Sequence, residues 1–152
     1  MANTQAMCTS FMQELMTGTH NFTPSTGDSF KAALYLASAT VNASTTAYSS
    51  TGEVTGTNYT AGGVAVTNGT APASTNASAT AGTAYWTPSA SITYSSVTLT
   101  TAFDAVLIYN SSKSDKAVSV HTFGSQTVTA GTFTLTMPTN NTTNALLRLA
   151  TT

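Results

Sequence analysis

Apolar residues and threonines alternate along much of the chain, most regularly in the stretch TFTLTM at residues 132–137. Side chains that alternate in this way point to opposite faces of a β-strand. Phe133, Leu135 and Met137 share one face, and threonines occupy the other. The period of two therefore predicts a strand with one buried face.

The same alternation, or a continuous apolar run, recurs in segments rich in β-branched and aromatic residues, as is typical of strands. The run FDAVLIYN at residues 103–110 predicts the most central strand, with Val106 and Ile108 facing one side and Leu107 and Tyr109 the other. Further strands are predicted at residues 30–37, 59–67, 91–101, 117–123, 132–137 and 145–150, with shorter ones near Tyr48 and Tyr85. About eight or nine strands predict an all-β chain, a jelly-roll-like antiparallel β-sandwich.

The first 20 residues follow a different pattern, in which apolar residues recur at steps of one, three and four positions and so gather on one side of a helix. These residues are Met7, Cys8, Phe11, Met12, Leu15 and Met16. Asn3 or Thr4 can cap the start of the helix, and Gly18 can end it in the left-handed conformation. We predict a short N-terminal amphipathic helix or arm within residues 1–20, followed by a β-sandwich domain at residues 30–152.

The apolar stripe of this helix must be covered, and two coverings are open. The helix can close one end of its own sandwich, or it can lie on a neighbouring protein, where flexible methionines tolerate an imperfectly matched groove. In the second case Met7, Phe11 and Leu15 are the candidate partner-binding residues. The first covering is favoured because a helix this short is marginal in water without a permanent surface.

Several features interrupt the strands. The apolar parity changes between Tyr94 and Val97, which predicts a β-bulge at Ser95 and Ser96. The stretch NSSKSDK at residues 110–116 predicts an exposed hairpin loop, and AGG at residues 61–63 predicts a bulge or tight turn. The small and polar residues 68–83 show no period and predict a long surface loop.

Charge is scarce, since charged residues make up 6% of the chain against roughly a quarter of an ordinary soluble domain. The four basic and five acidic residues are scattered and form no basic stripe, so no direct nucleic-acid partner is expected. Apolar runs such as AVLIY at residues 105–109 are too short to span a bilayer, and the N-terminus lacks the pattern of a signal peptide. No membrane partner is expected, and low net charge suits dense packing beside other copies.

The sequence contains no recognisable reactive centre. A nucleophile site needs a serine or cysteine beside a histidine and an acid, and no G-x-S-x-G turn is present. His20 and His121 are predicted to be hydrogen-bonded structural residues. Cys8 is the single cysteine, and the acidic residues form no calcium-loop pattern. We therefore expect no enzymatic activity, no cofactor and no metal.

Aromatic residues offer one further interpretation, a surface that stacks on sugar rings. The residues concerned are Tyr48, Tyr59, Tyr85, Trp86 and Tyr94. Strand alternation places most of them on inward faces or at strand ends, so core packing is favoured.

From about residue 30 to residue 150, the chain resembles a group of small virion proteins of tailed bacteriophages. The resemblance lies in the stretches KAALYLASATVNASTTAY, GEVTGTNYTAGG, FDAVLIYNS and AVSVHTFGSQTVTAGTFTLTMPT. These are strand and turn sequences, and no catalytic residue of the family is carried over with them. The N-terminal helix lies outside the resemblance.

The resemblance implies a capsid decoration (cement) subunit with a sandwich fold. Such a viral structural protein is made in the cytoplasm of the bacterial host and binds the capsid exterior of the virion. Its partner is the major capsid protein, and a homo-oligomer is expected. It stabilises the shell because separating shell subunits also breaks its contacts. The alternative is a neck, tail or fibre-associated module, or a receptor-binding module, of the same kind of phage.

Overall fold

The computed structural model describes residues 2–75 and 81–151. Within these residues the chain forms one short helix, α1 (Thr9–Met16), and eight strands that pair antiparallel. The strands are β1 (Ala6–Met7), β2 (Phe30–Leu36), β3 (Val64–Val66), β4 (Ala73–Thr75), β5 (Thr83–Trp86), β6 (Ile92–Asn110), β7 (Lys116–Leu135) and β8 (Leu147–Ala150).

The strands are arranged in two sheets. A five-stranded sheet has the order β1-β7-β6-β2-β3, and a three-stranded sheet has the order β4-β5-β8. Trp86 on β5 joins the two sheets, since its ring centroid lies 4.8 Å from that of Phe22 and 6.0 Å from that of Phe30 on β2. The predicted all-β sandwich is confirmed. The jelly-roll connectivity is not confirmed, and the larger sheet is built around a hairpin of the chain neighbours β6 and β7.

The hairpin of β6 and β7 bends sharply through its middle. Phe123 and Phe133 both lie on β7, where a straight strand would hold them roughly 33 Å apart, yet their ring centroids are 5.3 Å apart. Phe103 on β6 contacts both rings, and successive register shifts in the ladder accompany the bend. The outer half of the hairpin (residues 92–99 and 128–135) therefore folds back over the inner half.

The sequence predicted four strands where the structure has two. The predicted strands at residues 91–101 and 103–110 both belong to β6, and those at 117–123 and 132–137 belong largely to β7. The prediction of separate strands was wrong because the polar residues GSQT at 124–127 resemble a break. The ladder instead continues through register shifts, as it does where strands turn a corner between packed layers.

The predicted bulge at Ser95 and Ser96 is confirmed. Tyr94 pairs with Phe133 and Val97 pairs with Gly131, so three steps along β6 match two steps along β7. Ser96 takes up the extra residue with a positive φ of 54°. The bulge restores the apolar parity, and Tyr94 and Val97 are both buried.

The inner half of β6 lies at the centre of the protein, as predicted. Val106, Leu107, Ile108 and Tyr109 are no more than 2% exposed, so both faces of this strand are covered. β2 and β7 flank the strand on its two edges. Burial extends to the Tyr109 ring, whose hydroxyl donates to the carbonyl of Gly62 at 2.8 Å.

The N-terminal helix is present, but it begins later than predicted. Met7 lies in β1, and Cys8 precedes the first helical residue. Asn3 and Thr4 do not cap the helix, because both bond instead to the backbone of Val41. The segment before the helix is thus tied into the sandwich by strand pairing and by loop hydrogen bonds.

The helix ends at Met16, and Gly18 follows it in the left-handed conformation that the sequence predicted. The φ of Gly18 is 67°, and its N–H donates to the carbonyl of Leu15 at 3.1 Å. Phe11 is 1% exposed and belongs to the same hydrophobic core as the strands. The helix therefore covers part of its own sandwich, while Met12 and Met16 stay exposed.

The remaining loops and short strands agree in part with the predictions from the sequence. The hairpin loop forms between β6 and β7, and AGG forms a tight turn in which Gly62 and Gly63 have φ values of 87° and 71°. The strands predicted at 59–67 and 145–150 are present as the shorter strands β3 and β8. In place of the short strand predicted near Tyr48, the structure has an isolated bridge between Ala47 and Lys116.

The predicted surface loop at residues 68–83 was wrong in part. It contains β4 and runs into β5, while residues 76–80 lie outside the described part of the chain. Of the three residues of β4, only Thr75 is of a type that is enriched in strands, so pairing with β5 supplies much of the order.

Candidate partner-binding groove

A groove of about 300 Å³ lies between α1 and the three-stranded sheet. It is lined by residues of β1, α1 and the loop after α1, together with residues of β5 and β8. None of its described lining residues is an Asp, Glu, Lys or Arg. Its principal apolar and aromatic residues are Met7, Phe11, Leu15, Tyr85, Trp86 and Leu149. An uncharged, mostly apolar groove of this kind suits a protein partner with an apolar surface.

The structure brings together in this groove the three residues that the sequence predicted to bind a partner. Met7 and Leu15 are half-buried, while Phe11 is almost fully buried. The Phe11 ring contacts the rings of His20 and Phe22, with centroids 4.9 and 5.9 Å apart. Met7 and Leu15 are therefore the more accessible members, and partner binding by all three stays a prediction.

Sequence reasoning did not place the residues of the three-stranded sheet beside the helix, although it named Tyr85 and Trp86 as candidates for a stacking surface. Leu149 lies on β8, an edge strand of this sheet, and is 43% exposed. Tyr85 and Trp86 lie on the neighbouring strand β5. No local pattern links these residues to the distant helix, because only the packing of the small sheet beside α1 brings them together.

A partly buried polar network fixes α1 beside the large sheet. Glu14 on α1 accepts a hydrogen bond from Lys116 Nζ at 2.5 Å, and His20 Nε2 lies 2.7 Å from its other oxygen. His20 Nδ1 lies 2.9 Å from the side-chain nitrogen of Asn110, which can only donate. Nδ1 is therefore the acceptor, and Nε2 carries the proton that is donated to Glu14. Both ring nitrogens thus serve structural bonds.

The carboxylates of this network favour the folded state at neutral pH. Burial alone would raise the pKa of Glu14, but hydrogen bonds and charge from Lys116 and His20 outweigh burial and hold the pKa below its ordinary value. Asp28 also has a lowered pKa, because hydrogen bonds from Asn110 and from a backbone N–H outweigh its burial. The stability that they contribute is present above their ordinary pKa and is lost as the pH falls below it.

The second histidine, His121, pairs with a serine on the same strand. Its Nε2 lies 2.9 Å from the hydroxyl of Ser119, and burial lowers the pKa of His121 to about 4. Ser119 is 1% exposed, so its hydroxyl is shielded from solvent. The pair acts as a structural hydrogen bond.

Acidification should weaken the protein through His121 before it affects the carboxylates. The ordinary pKa of histidine is 6.5, and the folded value for His121 is about 4. Between these two pH values, the unfolded state binds a proton at His121 and the folded state does not, so the free energy of unfolding decreases as the pH is lowered. Allowing for the partial exposure of this residue, we expect a loss of about 1–2 kcal/mol. Urea denaturation at pH 7 and at about pH 5, above the ordinary pKa of Glu14, measures this loss. In His121→Gln this fall should disappear, and an undiminished fall in the variant would contradict the assignment.

Glu53 holds the aromatic residues in place. It is 6% exposed and accepts hydrogen bonds from the hydroxyls of Tyr48 and Tyr59 at 2.6 and 2.7 Å, and from a backbone N–H at 2.8 Å. Tyr48 stacks on Tyr109, and Tyr59 stacks on Tyr94. Burial, and then the hydrogen bond and charge of Glu53, raise the pKa of Tyr48 and Tyr59. For Tyr48, Tyr59 and Tyr94 these contacts agree with core packing rather than with an open sugar-stacking surface, whereas Tyr85 and Trp86 line the groove.

Among residues 2–75 and 81–151, no group of three His, Cys, Asp or Glu side chains is placed to hold a metal ion. Burial, and then the charge of Glu14, raise the pKa of the Cys8 thiol to about 11, so this thiol is protonated at neutral pH and a poor nucleophile. No described helix has the length and apolar character needed to cross a membrane.

No protein-family model matches the chain, and no curated protein or solved structure matches it either.

Proposed function

We propose that this protein is a structural subunit that attaches to a larger protein assembly through the groove between α1 and the three-stranded sheet. The observation that carries the proposal is the apolar, uncharged lining of this groove. Leu149 on β8 is an exposed member of this lining, and Met12 and Met16 on α1 add exposed apolar surface beside the groove. A partner with a matching apolar surface would cover this region.

The assembly in this proposal is the head of a tailed bacteriophage, and the partner is the major capsid protein. The sequence resemblance supports this choice. The near absence of charge is compatible with it, because weak electrostatic repulsion permits dense packing on a shell. A subunit that binds neighbouring shell proteins together stabilises the assembled shell by linkage, since it binds the assembly better than the parts.

The copy number in purified particles tests this function against its alternative. A decoration subunit should be present at a copy number close to that of the major capsid protein, on the outside of the head. Quantitative mass spectrometry of the particles, with electron microscopy of antibody-labelled heads, measures both. A few copies located at the neck, tail or fibres would favour the alternative module and overturn decoration of the head.

A charge placed in the groove should weaken attachment. Leu149→Asp puts a carboxylate on a side chain that is 43% exposed, so the fold should tolerate it while apolar docking should not. We expect binding to undecorated particles to weaken at least about tenfold, which corresponds to about 1.4 kcal/mol. Co-sedimentation with particles measures the binding. Thr55→Asp, which adds the same charge at an exposed loop position, is the control. Equal binding by Leu149→Asp and the control would exclude the groove.

A further inference from the structure

Among residues 2–75 and 81–151, no strand pairs with one edge of β7 over most of the outer half of the hairpin. On that edge β1 pairs only with Ser119 and Val120, while β6 occupies the other edge. Among the described residues, no other ladder and no loop backbone hydrogen bond reaches the edge at residues 124–135. A free strand edge presents backbone N–H and C=O groups that another extended chain can satisfy.

This edge also lacks the residues that usually keep strand edges apart. Residues 117–147 contain no Asp, Glu, Lys or Arg, and the first proline after β7 begins is Pro138. Charged residues, especially lysine, and proline are the common means of blocking edge-to-edge pairing. Ala130 has a φ of 47° at a register shift of the β6–β7 ladder, which confines the regular edge to the residues that follow it.

The sequence of this edge is self-complementary when two copies pair antiparallel. Residues 132–136, the last of which directly follows the end of β7, read TFTLT and are symmetrical in type about Thr134. If two copies pair antiparallel about this residue, Thr132 faces Thr136 and Phe133 faces Leu135. The exposed threonines then share one face and the half-buried apolar residues share the other. Cross-strand pairs of these types stabilise antiparallel ladders.

We propose that two copies of this chain pair along the outer edge of β7, antiparallel and with Thr134 on the two-fold axis. The contact is isologous, because the same edge serves on both copies. Pairing along a segment this short is weak in dilute solution. The same pairing becomes effective where copies are held side by side, because their local concentration is then high. The contact does not depend on the identity of the assembly to which the protein attaches.

Charge substitutions at Thr134 test the pairing. In Thr134→Lys, as in Thr134→Glu, two like charges would face each other across the axis, whereas a mixture of the two variants would bring opposite charges together. Analytical ultracentrifugation should show concentration-dependent dimers of the natural protein, at least tenfold weaker association of each variant alone, and recovery in the equal mixture. Thr55→Lys, at an exposed loop position, should associate like the natural protein.

Three outcomes would overturn the proposal: a natural protein that stays monomeric at millimolar concentration, single variants that dimerise undiminished, or a mixture that does not recover. Matching thermal melting curves would show that the variants are folded. Thr134→Cys gives a second measurement, because a short bis-maleimide should cross-link two copies at this position while the buried Cys8 does not react. Failure to cross-link would also count against the pairing. Particle binding measured separately distinguishes a failure of this contact from a failure of the proposed attachment.

Discussion

Truncation of Leu107 to alanine should lower the free energy of unfolding by about 2–5 kcal/mol, as large-to-small changes in packed cores do. Leu107 is 0% exposed and lies in the inner half of β6, paired with Ala33 on β2 and with Val120 on β7. With strands on both edges and packing on both faces, the backbone cannot collapse into the cavity. Urea denaturation monitored by tryptophan fluorescence measures the change.

Leu149→Ala is the matched control for this variant. Leu149 is 43% exposed on an edge strand, so the same truncation should change the free energy of unfolding by less than about 0.5 kcal/mol. A loss below that value in Leu107→Ala would mean that the strand is not at the centre of the core. A large loss in Leu149→Ala would mean that the small sheet is packed more tightly than its exposure indicates.

Substitution of Gly63 by alanine should be among the most damaging single changes in the chain. Gly63 has a left-handed φ of 71°, which costs an alanine about 1–2 kcal/mol. The added Cβ would also overlap the carbonyl oxygen of Ala32 and lie 2.8 Å from the Cα of Ala33. Since β2 is held between β3 and β6, its backbone cannot easily move away, and overpacking adds about 1–3 kcal/mol. We expect a total loss of about 3 kcal/mol and a clear fall in the melting temperature.

Gly124→Ala provides the comparison within the same protein. A Cβ at Gly124 would meet nothing within 4 Å, so the change should be neutral or slightly stabilising through the unfolded state. Scanning calorimetry of both variants against the natural chain gives the result. If Gly63→Ala melted at the same temperature as Gly124→Ala, the close approach of the turn to β2 would be wrong.

The burial of residues 103–110 and the bulge at Ser95 and Ser96 could be predicted because each depends on residues a few positions apart. Alternation and apolar runs report which faces are buried, and a shift in parity reports an extra residue. The start of the helix was misplaced for a related reason. Met7 fits the helical stripe by spacing, but pairing with Ser119 on β7, far along the chain, holds it in a strand.

The amino-acid sequence by itself determined the strand and helix character, the central position of residues 103–110 and the scarcity of charge, because these follow from composition and local period. The tertiary structure alone decided the bend that folds the β6–β7 hairpin over itself, the groove between α1 and the strands β5 and β8, and the edge of β7 with which no other described strand pairs. Each of these depends on contacts between residues distant in the chain. A local pattern states that an apolar face must be buried, but it does not state which distant segment will cover it, since the hydrophobic effect is not directional.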